Sequence, residues 1–224
     1  IARASTPSWA IPSTGSEKGL NGYYAWRDLS GNINNMATQN PVALLMDKKD
    51  ISSANRFIGN AQFDYKFHGF EDLRFNLNLG IDYATSGGYS TTPQGTEQSF
   101  HDTAQSGSGY RSDYSYKRMD TTLEAYLAYA KDFGKNHFDA MAGYSWQHFL
   151  SESDSYTYRL TDGTKISGAP SAGELYLVSF FGRVNYSLFN RYIFEVSARY
   201  DGSSKFPTSQ QWGFFPSASV GCHV

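Results

Sequence analysis

A single cysteine, Cys222, is all that the sequence offers, so no disulfide can close within the chain and a stapled secreted mini-scaffold is excluded. The compartment stays open. No stretch approaches the roughly 18 apolar residues of a membrane-crossing helix, and the mean hydropathy is −0.51. A transmembrane β-barrel passes that test, because only every second residue of its strands need be apolar. Neither sign of charge dominates: 19 Lys and Arg stand against 21 Asp and Glu, a net charge of −2. The basic residues are dispersed, so the basic stripe that nucleic acid requires is missing. A leader is missing too, since the chain opens on Ile1 without a charged-then-apolar run, and it closes on SVGCHV inside a strand-like pattern. An internal piece of a longer protein is therefore expected. What is abundant favours β-structure: 17 Tyr, 16 Phe and 21 Gly in 224 residues.

Residues 1–52 are rich in Ser, Gly, Asn and Pro without sustained periodicity and read as one long loop region. Residues 53–224 then alternate apolar and polar positions in seven runs, about 53–68, 73–85, 116–131, 137–150, 175–187, 192–201 and 214–224. In the first, Phe57, Gly59, Ala61, Phe63, Tyr65 and Phe67 share one face and Arg56, Asn60, Gln62, Asp64, Lys66 and His68 the other. In the third, MDTTLEAYLAYAKDF also contains good helix formers, but Thr121, Leu123, Ala125, Leu127 and Tyr129 fit a strand.

Alternation alone does not separate a soluble β-sandwich, whose apolar faces meet each other, from a membrane barrel, whose apolar face meets lipid. Two features favour the barrel. Short breaks at GFED, DFGKN and LFNR alternate with long polar ones, about 86–115, 151–174 and 202–213, as turns and loops alternate in outer-membrane barrels. Aromatic residues also gather at strand ends, with Leu77, Leu79, Ala125, Ala140, Ala142, Val196 and Ala198 between them. A bilayer places Tyr and Trp at its interfaces, whereas a sandwich core wants its bulk in the centre. The fold class expected is all-β, an antiparallel up-and-down meander forming part of a large transmembrane barrel. A soluble sandwich acting as an adhesin-like binding module is the alternative. In the barrel, residues 1–52 lie outside the cell, and Arg56, Asp64, Lys66, Arg74, Asp82, Glu124, Asp139, Arg183, Glu195 and Arg199 face the lumen, where water or a polar plug satisfies them.

Several of these segments carry a likeness to a known family. NPVALL (Asn40 to Leu45), NRFIGNAQFDYKF, LRFNLNLG, MAGYSWQ, FFGRVNYSLFNRYIFEVSARYDGSSKF and WGFFPSASVG resemble the barrel portion of SusC/RagA-type TonB-dependent outer-membrane transporters. The resemblance runs from about Asn40 to the last residue. It implies a plugged barrel of about 22 strands, of which seven are here, in the outer membrane. It also implies active import of glycan oligosaccharides or peptides under a SusD-like surface lipoprotein. Energy would come from the TonB complex, reached through an N-terminal part that this chain lacks. Outer-membrane lipid is then a further partner. The resemblance transfers no substrate-binding residue.

Chemistry-bearing patterns are otherwise few. The five His residues form neither HExxH nor a close pair, GYSWQ lacks the Gly of a nucleophile elbow, and SESDSYTYRLTDG lacks calcium-loop spacing. No catalysis, metal or cofactor is expected. Trp9, Tyr23, Tyr24, Trp26 and Arg27 in the N-terminal loop region are the substrate-binding candidates, because sugar rings stack on aromatic faces and loops carry specificity. The stretch RYDGSSKFPTSQQWGFFPS is expected to be a turn at the outer surface, with Trp212, Phe214 and Phe215 re-entering at the interface.

Overall fold

The computed structural model describes residues 20–34, 36–101 and 107–223. Seven antiparallel strands form one sheet in sequence order: β1 (Lys49–Phe67), β2 (Phe70–Thr92), β3 (Tyr110–Phe133), β4 (Asn136–Arg159), β5 (Lys165–Leu188), β6 (Tyr192–Ser203) and β7 (Trp212–Cys222). A short helix α1 (Pro41–Asp47) precedes β1, and α2 (Glu97–His101) lies between β2 and β3. The up-and-down meander expected from the alternation is the fold observed, and MDTTLEAYLAYAKDF is strand. A sandwich needs a second sheet packed on the first; the described residues form one.

The strands are longer than the pattern implied. The expected loop over 151–174 is strand except for residues 160–164, β2 runs on to Thr92, and β3 already begins at Tyr110. The first turn also sits earlier, at His68–Gly69, so that most of GFED belongs to β2. The cause is physical. Alternation records one apolar and one polar face, and a tilted transmembrane strand needs only about 9–11 residues. β3, β4 and β5 have 24 residues each. Where such strands leave an apolar medium both faces meet water, so backbone pairing continues while the side-chain pattern disappears.

The chain divides into two compact units. One contains Asn55–Thr85, Lys117–Glu152 and Ala172–Val224. The β5–β6 register puts Val184 opposite Val196, Gly182 opposite Ala198 and Phe180 opposite Tyr200 on one face. Arg183 faces Ser197, Asn185 faces Glu195 and Ser179 faces Asp201 on the other. None of the described apolar residues of this unit is buried: Phe57 is 60% exposed, Val196 59% and Phe180 50%. Among the described residues nothing covers its apolar face. In the middle of that face the small residues Ala140, Ala142 and Gly182 leave a hollow of about 520 Å³ rimmed by Leu127, Val184 and Val196. Rings gather at both ends of it. Tyr129 stacks on Phe70 at 5.8 Å and approaches Phe138 at 6.1 Å. Toward the other end Tyr200 stacks on Trp212 at 4.8 Å, and Phe180 lies between Tyr144 and Trp212.

The tight turns of this unit are held by backbone geometry. Gly69 and Gly134 take the positive φ such turns require, and Phe189 and Asn190 take it in the third. The second and third turns are tied together, since Phe189 N–H donates to Asn136 Oδ1 and Asn190 N–H to the Lys135 carbonyl.

The other unit contains residues up to Ala54, Ser86–Tyr116 and Ser153–Ser171. Here a small core exists: Ala25 and Ala43 are buried, as are Asn40, Thr92, Thr96, Glu97 and Ser99.

Candidate functional site

On the polar face of the strands, side chains expected to line a lumen contact one another across the sheet. Arg56 donates two hydrogen bonds to Asp82, at 2.9 and 2.6 Å, and Asn60 donates to Asn78 at 2.9 Å. Asn76 donates to Asp64, and Asn185 to Asp139, whose carboxylate also lies 4.0 Å from Arg183. Arg199 donates to Asp201 at 2.7 Å and to Ser179 Oγ at 2.9 Å. Lys66, Arg74, Glu124 and Glu195 make no ion pair or side-chain hydrogen bond among the described residues. Exposed pairs of this kind add little to stability, because water screens them. What they do is hold a hydrated surface in fixed order.

Of the N-terminal candidates, Trp9 lies outside the described residues. Tyr24 and Trp26 come together, their rings edge to face at 5.2 Å, with Trp26 41% exposed. Tyr23 belongs to a separate turn whose N–H closes on the Leu20 carbonyl. Arg27 is occupied structurally: it bridges Ile33 and donates to the Gly31 carbonyl at 2.7 Å, while Asp28 Oδ1 accepts from the N–H groups of Ser30 and Asn32. Over residues 20–34 the loop thus presents an aromatic pair beside a short hairpin that engages Arg27.

The NPVALL segment has a specific local role. Asn40 caps α1, its Oδ1 accepting from Val42 and Ala43 N–H, and Pro41 opens the helix where its missing N–H costs nothing. The Asn40 side chain also donates to the Tyr24 carbonyl, and its backbone N–H donates to Glu97 Oε2 at 3.0 Å. One asparagine therefore ties the aromatic loop, α1 and the β2–β3 connection. Asn-Pro before an apolar run is a readable helix start, but nothing in the sequence points from Asn40 to Glu97, fifty-seven positions away.

Glu97 is 4% exposed, and burial pushes its carboxyl above the ordinary glutamate range against the opposing pull of the Asn40 N–H and of His101. A carboxyl whose folded pKa lies above its unfolded value favours the folded arrangement most at low pH, and that contribution falls as pH rises through the folded value. Hydrogen exchange at the α1 amides, corrected for intrinsic rates, should therefore quicken as pH rises above the ordinary glutamate value of about 4. In Glu97→Gln, which keeps an acceptor but cannot ionise, the profile should flatten; an unchanged profile would remove Glu97 as its source.

A third feature lies at the β6–β7 connection. Ser203 N–H donates to the Gln211 carbonyl at 2.9 Å, and Ser204 is pinned to Tyr176 through its N–H and its Oγ. A 3-10 turn over Thr208–Gln210 completes the loop. Beside it is a cavity of about 340 Å³. Phe215 borders it, because register places Phe215 opposite Arg199 on the polar face. The expectation that Trp212, Phe214 and Phe215 share one interface is thereby corrected: successive strand residues point to opposite sides. The DGSSKF stretch by itself signals only a turn; the cavity depends on β4 and β5 residues remote in sequence.

A likeness to known proteins can be set against this geometry. The family "TonB dependent receptor-like, beta-barrel" matches residues 8–221. The chain belongs to that family. It is 37% identical over 196 residues to TonB-dependent receptor SusC of Bacteroides thetaiotaomicron, covering 83% of this chain and 19% of that protein. TonB-dependent receptor P3 of Formosa agariphila is 32% identical over 196 residues, covering 81% of this chain and 19% of that protein. This TonB-dependent receptor chain thus spans about a fifth of the length of those curated relatives. The RagAB peptide importer in its "closed-closed" state matches with a TM-score of 0.70 at 15% identity, covering 94% of this chain and 26% of that one. In the "open-open" state the TM-score is 0.71, covering 94% and 25%. At that identity the match concerns the fold alone. Among the described residues no three His, Cys, Asp or Glu side chains gather as metal ligands.

Proposed function

We propose that this chain forms part of the wall of an outer-membrane importer that takes up glycan oligosaccharides, or peptides, under a SusD-like lipoprotein lid with energy from the TonB complex. The observation that carries the reading is the pair of unlike faces on one sheet. One face leaves Phe57, Leu127, Phe180 and Val196 uncovered, and the other orders Arg56–Asp82, Asp64–Asn76 and Arg199–Asp201 contacts. Such a sheet is at ease only with lipid on one side and a hydrated lumen on the other. Membership of the TonB-dependent receptor family and 37% identity to SusC support the same reading. In it residues 53–224 are barrel wall and residues 1–52 lie outside the cell, where the Tyr24–Trp26 pair offers a stacking surface for a sugar ring. The charged residues of the polar face, Lys66, Arg74, Glu124 and Glu195 included, then line the lumen.

The test uses the intact parent protein. It should stay with the outer-membrane fraction through washing and be released by detergent, and cells carrying it should lose uptake of its nutrient when TonB is deleted. Recovery in the aqueous phase without detergent, or uptake indifferent to TonB, defeats the proposal.

A further inference from the structure

The cavity beside the β6–β7 connection has a chemistry of its own. Its floor carries Arg199 and Asp201, joined at 2.7 Å, with the second guanidinium arm on Ser179 Oγ. An anionic ligand would have to draw Arg199 away from this arrangement while meeting the Asp201 carboxylate, and a cationic one would meet the guanidinium. The floor therefore favours a ligand without net charge. Around it the side-chain amides of Gln147, Gln210 and Gln211 line the space and make no hydrogen bond to other described residues. Each amide supplies a carbonyl acceptor and an NH₂ donor side by side, which suits hydroxyl groups, themselves both donor and acceptor. Two aromatic rings complete the wall: Phe206 and Phe215 are each 58% exposed, although Phe215 stands on the polar face of its strand. An apolar ring beside paired polar groups matches a ligand with a C–H face and a hydroxylated rim. The volume of about 340 Å³ falls at the lower end of the range for small-ligand sites, about 300–1,000 Å³.

We infer that this cavity is a binding subsite for a neutral, polyhydroxylated ring, a saccharide unit, held by Gln147, Gln210 and Gln211 over the Arg199–Asp201 pair with Phe206 and Phe215 against its C–H face. The inference rests on the transporter reading and narrows its substrate class from oligosaccharide or peptide to neutral oligosaccharide. The loop that forms the cavity is fixed to β5 by the Tyr176–Ser204 bonds, so the amides are presented from a held backbone.

The experiment takes the intact detergent-solubilised transporter and titrates it calorimetrically with neutral hexasaccharides of α-gluco, β-xylo and β-fructo type, and with hexaalanine and hexaglutamate. Binding of at least one hexasaccharide, weakened tenfold or more in the Gln147→Ala/Gln210→Ala double variant, is the expected result. Neither side-chain amide hydrogen-bonds another described residue, so the variant should keep the heat-modifiable mobility of a folded barrel. Phe206→Ala, changed singly, should weaken the same ligand. Three results would each overturn the inference: no hexasaccharide bound by the natural protein, equal affinity in natural protein and folded variants, or a hexapeptide as the ligand whose affinity the variants lower. TonB-dependent uptake of a peptide would leave the transporter reading standing while removing the saccharide subsite, so the two failures are distinguishable.

Discussion

Leu127→Arg should destabilise the folded barrel by about 2–4 kcal/mol in a bilayer refolding titration, whereas Glu124→Arg, three residues earlier on the same strand, should cost far less. Both positions lie in β3. Leu127 is 45% exposed at the rim of the apolar hollow, in the middle of the face that none of the described residues covers. In a bilayer its neighbours would be acyl chains, and a guanidinium there must either leave water or pull water and head groups toward it. Glu124 is of opposite parity and half-buried on the polar face, where an arginine remains hydrated. The measurement is the urea dependence of folding of the intact protein in lipid vesicles, variant against natural sequence. Equal costs at the two positions would remove the assignment of faces.

The same parity explains why so much of the fold was legible. In Phe57, Phe63 and Tyr65 against Arg56, Asp64 and Lys66 the alternation is complete, and such a run has one register that keeps all its apolar side chains together. Seven strands and their order follow from seven such runs separated by turn residues. Legibility failed where the apolar medium ended. Residues 151–159 and 165–174 mix Ser, Tyr, Gly, Glu and Asp without an apolar face set against a polar one, yet they pair as β4 and β5 because their backbone groups gain partners whatever the side chains.

The candidate sites were less legible, for a related reason. Trp26 and Tyr24 were visible as aromatic residues in a loop, and their edge-to-face contact is local. Arg27 looked equally suitable, but its carbonyl partner on Gly31 depends on a hairpin that composition does not reveal. Asn40 meets Glu97, and Gln147 and Gln210 line one cavity, only through the tertiary fold, and a single sequence carries no trace of pairs so far apart.

Gly168→Ala should open the far part of the β4–β5 hairpin, residues 153–171, while leaving the rest of the sheet intact. Gly168 sits within β5 with φ of +113°, a conformation that L side chains rarely adopt. An added Cβ would also collide with the Ser155 carbonyl oxygen and come within 2.7 Å of the Tyr156 Cα, both backbone atoms that no rotamer change can move. The two penalties together amount to about 2–5 kcal/mol. That is more than an exposed, solvated hairpin end holds in reserve, so the strain is relieved by local opening rather than by global unfolding. Gly163→Ala is the control. Gly163 has φ of +70° but nothing within 4 Å of its added Cβ, so only the backbone penalty remains, about 1–2 kcal/mol. Hydrogen exchange over residues 153–171 of the intact protein should show protection lost in Gly168→Ala and nearly kept in Gly163→Ala. Equal protection in the two variants would mean that the strands part easily enough at Ser155 to admit a methyl group, and that the long hairpin is not held by close backbone approach.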